Sequence, residues 1–98
     1  MLERIYSLLG LARRAGKITS GESQIEVMLK KGKGFLLILA EDAPGTHKKY
    51  GKWAEDLRLP VLILGTKQDL GIAIGLSPRS TVLIMDEGFA KAILKIRS

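Results

Sequence analysis

The sequence predicts an α/β fold: a three-layer α/β/α sandwich with a central mixed sheet of about four strands. Three observations lead to it. Short continuous apolar runs, typical of strands buried on both faces, recur along the chain. Segments with apolar residues at helical spacing alternate with those runs. The chain has 98 residues, of which 46% are hydrophobic, which is enough for one core and predicts a single domain over residues 1–98.

The chain begins with a predicted helix and a short edge strand. Apolar residues recur at helical spacing from Leu2 to Ala12. Arg13 and Arg14 stand in the last turn, where positive charge suits the helix dipole, and Gly16 ends the helix. Residues 17–19 are short enough to pair at the edge of a sheet.

A second helix is predicted from TSGESQIEVMLKKGK, residues 19–33. Thr19 and Glu22 have the spacing of a capping box, and Ser20-Gly21 offers an alternative cap. Gly32 fits the end of the helix. The apolar stripe consists of Ile25, Met28 and Leu29. Val27 lies beside this stripe, so it is either a core residue or a residue of the exposed face.

The rest of the chain alternates strand and helix. Residues 35–40, 61–64 and 81–85 are apolar runs that predict buried strands. Three helices follow these runs, and their predicted capping residues are Thr46, the pair Thr66 and Asp69, and Asp86. Residues 76–79 form a loop before the last strand.

The charge of the chain favours a polyanionic partner. Sixteen Lys and Arg residues stand against ten Asp and Glu residues, and the formal net charge is +6. There are no cysteines, so neither a disulfide framework nor a thiolate metal site is expected. No apolar run is long enough to span a bilayer, and the N-terminus does not resemble a signal peptide. We therefore expect a cytoplasmic protein that does not bind membranes.

Groups suited to catalysis are sparse. His47 is the only histidine, and the adjacent Glu41 and Asp42 would point to opposite faces of a strand. Gly32-Lys33-Gly34 lacks the spacing of a P-loop. A nucleotide or small-molecule enzyme therefore lacks a visible catalytic set, and we expect no catalytic residues, no metal and no cofactor.

Basic residues flank the second helix, and its start offers other binding groups. The cations before and after it are Arg13, Arg14, Lys17, Lys30, Lys31 and Lys33. Gly21 has no Cβ, so a ligand could come close, and free N–H groups at a helix start bind anions such as phosphate. Ser23 and Gln24 carry donors and acceptors suited to base edges exposed in a distorted RNA. We therefore expect an RNA-binding surface at this helix start.

Several stretches together resemble a known family. They are LGLARRAGKITSGESQ at the start, LAEDAP after the first long strand, LPVLILGTKQDLGIAIG, and DEGFAKAI in the last helix. On these residues the chain resembles the kink-turn-binding ribosomal-protein superfamily, which includes ribosomal proteins L-seven-Ae and L-thirty-e, and most of all its bacterial YlxQ-like members.

The resemblance implies an α/β/α sandwich that recognises kink-turn RNA with the start of the second helix and the loop before the last strand. The family motif at the helix start is G-x-N-E-x-x-K. Gly21 matches its glycine, while Ser23, Gln24 and Val27 stand where Asn, Glu and Lys are usual. Lys31 matches a basic position one turn further on.

The sequence thus predicts a cytoplasmic, monomeric RNA-binding protein that recognises kink-turn or similarly bent RNA, with the ribosome as a possible partner. The predicted RNA-binding residues are Arg13, Arg14, Lys17, Gly21, Glu22, Ser23, Gln24, Lys31, Lys33, Leu76, Ser77, Pro78 and Arg79. The alternative is a protein-interaction module that keeps the fold without tight kink-turn binding, and Val27 favours it.

Overall fold

The computed structural model describes residues 2–97. Helices and strands alternate through these residues, beginning and ending with a helix. The elements are α1 (Leu2–Arg14), β1 (Ile18–Ser20), α2 (Glu22–Lys30), β2 (Leu36–Leu39), α3 (Pro44–Leu57), β3 (Val61–Ile63), α4 (Lys67–Ala73), β4 (Thr81–Ile84) and α5 (Glu87–Arg97).

The strands of this described part form one mixed sheet in the order β1-β4-β2-β3. β4 runs antiparallel to both of its neighbours, β1 and β2, whereas β3 runs parallel to β2. The start of β4 therefore lies at the same end of the sheet as the ends of the other three strands. This arrangement confirms the predicted mixed sheet of four strands.

Side chains of the central strands alternate between two cores. Leu36 and Ile38 of β2 pack with residues of α1, α4 and α5 on one face of the sheet. Leu37 and Leu39 pack with α2 and α3 on the other face. Because strand side chains alternate in direction, a strand covered on both faces must be apolar throughout. Helices on both faces make the three predicted layers.

Two of the predicted caps are present. Thr66 Oγ1 accepts a hydrogen bond from the Asp69 N–H at 3.0 Å, and the Asp69 carboxylate accepts one from the Thr66 N–H, which completes the capping box of α4. Asp86 Oδ2 accepts from the Phe89 N–H at 2.9 Å and so caps α5. The sequence predicted both correctly.

Two other predicted caps were wrong. Thr19 lies within β1, where it pairs with Leu83, so it cannot cap α2, whose N-cap residue is Gly21. Thr46 cannot cap α3, because that helix already begins at Pro44 and Thr46 lies inside it. The Thr46 side chain is buried. Proline is favoured at a first helical position, since its missing N–H would be unpaired there in any case.

The prediction that residues 61–64 form a buried strand was only partly right. β3 lies at the edge of the sheet, and its side chains are half-buried or exposed, with Ile63 43% exposed. Leu64, which follows the strand, is buried. An apolar run alone does not distinguish a central strand from an edge strand whose faces are partly covered.

Candidate nucleic-acid interface

Strand pairing brings the start of α2 next to the loop that precedes β4. Ser20, the last residue of β1, pairs with Val82, the second residue of β4. The chain segments that follow β1 and precede β4 must therefore lie side by side at this end of the sheet. Between them is an open cleft of about 230 Å³, lined by Gly21, Glu22, Pro78, Arg79, Ser80 and Thr81. We call it the α2–β4 cleft.

Gly21 is required by the backbone conformation at the mouth of this cleft. Its φ is +95°, a value that residues with a side chain rarely adopt. A Cβ at this position would meet only Gln24 Oε1, at 3.9 Å, so space is not the limit. The positive φ is thus a backbone reason for the glycine, and close approach of a ligand stays a prediction.

The first turn of α2 has no side-chain cap among the described residues. The first N–H groups of a helix have no acceptor within the helix. Together with the positive end of the helix dipole, such groups favour an anion. Ser23 and Gln24 are exposed beside them. The start of α2, beside the cleft, therefore offers hydrogen-bond donors and acceptors to a ligand from solvent.

Val27 belongs to the exposed face of α2. Its side chain is 47% exposed, while Ile25 and Leu29 are buried against the sheet. Residues four apart on a helix are neighbours, so Val27 lies one turn beyond Ser23. The interpretation of Val27 as a core residue was wrong, because the buried stripe runs along the opposite side of the helix.

Arg79 forms the other wall of the cleft and is held in place locally. Its Nη1 donates to Ser77 Oγ at 2.6 Å and to the Ser77 carbonyl at 3.1 Å. Its backbone N–H donates to the Lys67 carbonyl at 3.0 Å. Its Nε is buried and has no hydrogen-bond partner among residues 2–97. The guanidinium is thus oriented by its own loop, and its buried Nε donor stays unused.

The loop over residues 76–79 is packed tightly on α4. A Cβ on Gly71 would overlap the carbonyl of Ser77. The Leu76 N–H donates to the Gly71 carbonyl at 2.8 Å. Leu76 is half-buried against the core, whereas Ser77 and Pro78 are exposed. Glycine at this point of α4 therefore sets the position of the wall that contains Pro78 and Arg79.

Glu22 lines the cleft, and its charge is partly balanced by α3. Lys49 Nζ lies 2.8 Å from Glu26 Oε2 and 3.5 Å from Glu22 Oε2. The hydrogen bond that Lys49 donates to the Glu26 carboxylate is the main reason that the pKa of Lys49 is raised above its ordinary value, against a smaller opposing effect of desolvation. Sequence analysis missed Lys49, because no local pattern indicates that α3 packs beside α2.

Apart from Arg79, the basic residues predicted to bind RNA do not line this cleft. Lys17 precedes β1 and Lys33 precedes β2, so both lie at the opposite end of the sheet from Gly21. Lys31 follows the last turn of α2. Arg13 and Arg14 line a separate groove of about 370 Å³ between α1 and α4, together with Gly10 and residues 72–75.

Two of the residues weighed for chemistry, His47 and Asp42, have structural partners. His47 Nε2 lies 2.7 Å from the Ala40 carbonyl. Asp42 Oδ1 accepts from the Lys67 N–H at 2.9 Å and so helps to begin α4. In the described part of the chain, no cluster of three or more histidine, aspartate and glutamate side chains could hold a metal ion. No helix within residues 2–97 is long and apolar enough to cross a membrane.

The sequence model of the Ribosomal protein L7Ae/L30e/S12e/Gadd45 family matches residues 3–94. The chain belongs to this family. Its curated relatives include the "RNA-binding protein YlxQ" of Bacillus subtilis, which is 33% identical over 92 residues, or 93% of this chain and 92% of that protein. Another is "Large ribosomal subunit protein eL8" of Thermoplasma volcanium, 27% identical over 95% of this chain and 78% of that protein. These relatives are named as RNA-binding and ribosomal proteins, not as enzymes.

Solved structures show the same L7Ae-type fold. A protein of unknown function from Bacillus halodurans superposes with a TM-score of 0.89 at 35% identity, covering 94% of both chains. The Giardia lamblia 15.5kD RNA binding protein superposes with a TM-score of 0.79 at 24% identity, covering 94% of this chain and 83% of that one. The resemblance inferred from sequence motifs is thereby confirmed.

Within the L7Ae-type fold, two cleft residues escaped the sequence analysis. Ser80 and Thr81 line the α2–β4 cleft, yet they follow the loop that was predicted to bind RNA. Their position depends on the pairing of β1 with β4. A prediction of that pairing from the short segment 17–19 could have found them.

Proposed function

We propose that this member of the L7Ae family is an RNA-binding protein that recognises kink-turn or similarly bent RNA through the α2–β4 cleft. Its cellular role is then ribosome-associated and cytoplasmic, and it acts as a monomer. Membership of a ribosomal-protein family and the named RNA-binding relatives support the choice of RNA as partner. The observation that carries the proposal is the meeting of Gly21 and Arg79 at one cleft.

The chemistry of the cleft suits a bent RNA better than a regular duplex. Regular A-form RNA presents a deep, narrow major groove that side chains cannot read. A sharp bend exposes base edges and a crowded phosphate backbone. Ser23 and Gln24 are exposed and carry groups that hydrogen-bond to base edges, and the uncapped N–H groups of α2 suit a phosphate. Arg79 adds a cation whose position is fixed before binding.

Ultraviolet crosslinking followed by mass spectrometry tests where RNA binds. The protein is irradiated with a kink-turn RNA, digested, and the crosslinked peptides are identified. We expect crosslinks within residues 20–27 and 76–81, because these segments line the cleft or lie beside it. Crosslinks confined to α3 and α5 would contradict the proposed site.

A protein-interaction module remains the second candidate, and exposed apolar side chains favour it. Val27 is 47% exposed on the face of α2 beside the cleft, and Ile72 of α4 is 68% exposed. Apolar side chains of this exposure are suited to contacts with a protein partner. The crosslinking experiment separates the two candidates, because a pure protein-interaction module gives no RNA crosslinks in the cleft segments.

A further inference from the structure

The ends of α1 and α2 place two lysines in the same local geometry. The N–H groups of Lys17 and Lys33 each donate to the carbonyl five residues earlier, at 2.8 and 2.9 Å. Gly16 and Gly32 precede them with φ of +71° and +69°. Both helices therefore end in a Schellman motif that places a lysine just outside the helix, before a strand begins.

These two helix ends lie close together at one end of the sheet. The Lys17 carbonyl accepts from the Met85 N–H, and the Phe35 N–H donates to the Ile84 carbonyl, both at 2.8 Å. The backbone of Lys17 and that of Phe35 therefore flank the end of β4, about 10 Å apart, which is two strand spacings. Lys33 is two residues from Phe35, so the backbones of both lysines lie at this end of the sheet.

Six exposed cations gather around this end of the sheet. They are Arg13, Arg14, Lys17, Lys30, Lys31 and Lys33, and we call them the basic end. None of them forms an ion pair with any residue from 2 to 97, whereas Lys49, Lys52 and Lys91 all do. The basic end therefore carries positive charge that no carboxylate among residues 2–97 offsets by an ion pair.

Helix dipoles account for only part of this charge. Arg13, Arg14 and Lys30 stand in last helical turns, where a cation is stabilised by the carbonyl end of the helix. The effect falls off beyond the last turn. Lys17 and Lys33 follow the glycines that terminate the helices, so the dipoles do not explain them.

We propose that the basic end is a second RNA-binding site, separate from the α2–β4 cleft, that holds the sugar–phosphate backbone of a duplex segment. This inference rests on the proposed function for the choice of RNA as the polyanion. The four steps of extended chain from Lys17 to Gly21 span about 13 Å, so the phosphates held here are not those at the cleft. Lysine and arginine at this surface contact phosphates without reading sequence.

A charge-matched pair of variants tests the proposal. The basic-end variant carries Arg13→Gln, Lys17→Gln, Lys31→Gln and Lys33→Gln. The control carries Lys48→Gln, Lys52→Gln, Arg58→Gln and Lys91→Gln, which removes the same charge from exposed positions on or next to α3 and α5. The probe is a straight RNA duplex of about 16 base pairs, without a bend. Circular dichroism melting shows whether each variant folds.

The salt dependence of duplex binding distinguishes the two variants. Between about 50 and 200 mM salt, we expect the plot of log affinity against log salt to be less steep for the basic-end variant. The magnitude of its slope should fall by about 3, because each of four lost phosphate contacts contributes roughly 0.7–0.9. The control should change it by less than about 1. If the full variant does not fold, Lys17→Gln with Lys33→Gln should give about half the effect. Equal changes in the two full variants would mean that only net charge matters, and would overturn the proposal.

A second measurement tests whether the two sites are separate. Protein saturated with a short kink-turn RNA should still bind the labelled straight duplex, and Ser23→Ala with Gln24→Ala should leave duplex affinity unchanged. One-for-one displacement of the duplex would show a single surface and overturn the proposal. The proposal would also be overturned if binding to phosphatidylserine vesicles required the basic end while binding to the duplex did not.

The two proposals fail independently. Failure of the kink-turn RNA to bind better than the straight duplex contradicts the proposed function at the cleft. If the basic-end variant binds the straight duplex as tightly as the unaltered protein does, only the proposal of a second site is contradicted.

Discussion

Lys49 of α3 reaches across to α2 and lies 2.8 Å from the Glu26 carboxylate. Lys49 also lies 3.5 Å from Glu22, which lines the α2–β4 cleft. Its cation therefore offsets two carboxylates at the place where a phosphate backbone is proposed to approach. This contact couples the packing of two helices to the electrostatics of the site.

Replacing Lys49 by methionine should weaken RNA binding without a direct loss of contact. With Lys49→Met, the two carboxylates repel phosphate, and we expect affinity to fall roughly two- to fivefold at low salt. Adding Glu22→Gln and Glu26→Gln should restore it. Lys52→Met is the matched control, because Lys52 pairs with Asp56 along the exposed side of α3. Fluorescence anisotropy measures all four proteins, and equal losses for Lys49→Met and Lys52→Met would exclude the electrostatic role.

Introducing a cation at Val27 should strengthen kink-turn binding. Val27→Lys places an ammonium one turn beyond Ser23, where a phosphate contact is worth about 1–2 kcal/mol, or roughly five- to thirtyfold in affinity. Because Val27 is 47% exposed, the melting temperature should hardly change. Gel-shift titrations with a kink-turn and a matched duplex, together with melting curves, check both statements. An early melt without tighter binding contradicts the assignment of this helix face.

A methyl group at Gly71 should disturb the wall of the cleft. In Gly71→Ala the new Cβ overlaps the Ser77 carbonyl, so we expect a loss of about 1–3 kcal/mol in the free energy of unfolding. Gly51→Ala in α3 is the control, because a Cβ there meets nothing within 4 Å. It should stabilise the protein by about 0.5–1 kcal/mol, since alanine favours the helix interior. Urea denaturation gives both values, and a neutral Gly71→Ala would show that the loop moves freely.

The buried Tyr50 hydroxyl should limit stability at alkaline pH. Burial raises the pKa of Tyr50 above its ordinary value of 10.0, although nearby Lys49 opposes the shift. As pH rises past 10.0, the unfolded chain releases this proton before the folded one does, so stability falls with pH. Tyr50→Phe should remove this part of the alkaline loss. Thermal melts at pH 8 and pH 11 compare the two proteins, and parallel losses would exclude Tyr50 as a cause.

Most of the fold could be predicted because its signals are local. The central strands are buried at every position and apolar at every position except Thr81, since helices cover both faces. Gly16 and Gly32 mark helix ends by their positive φ, and the capping box at Thr66 lies within four residues. Such patterns need no knowledge of the tertiary arrangement.

What could not be predicted depends on the order of the strands. The segment 61–63 has the apolar character of a central strand, but only the sheet order places it at an edge. The separation of Lys17 from Gly21 likewise follows from β1 running along β4. The sequence predicts one RNA-binding surface for the cations of the basic end and the start of α2, whereas the antiparallel pairing of β1 with β4 places the basic end and the cleft at opposite ends of the sheet.

The central claim is that the α2–β4 cleft selects bent RNA, and calorimetry on two RNAs tests it most directly. One RNA contains a kink-turn, and the other is a straight duplex of the same length and nucleotide composition. We predict that the protein binds the kink-turn at least about tenfold more tightly, a difference of about 1.4 kcal/mol. We also predict that Ser23→Ala with Gln24→Ala removes most of this preference while leaving duplex affinity unchanged. Equal affinities of the unaltered protein for the two RNAs would contradict the account.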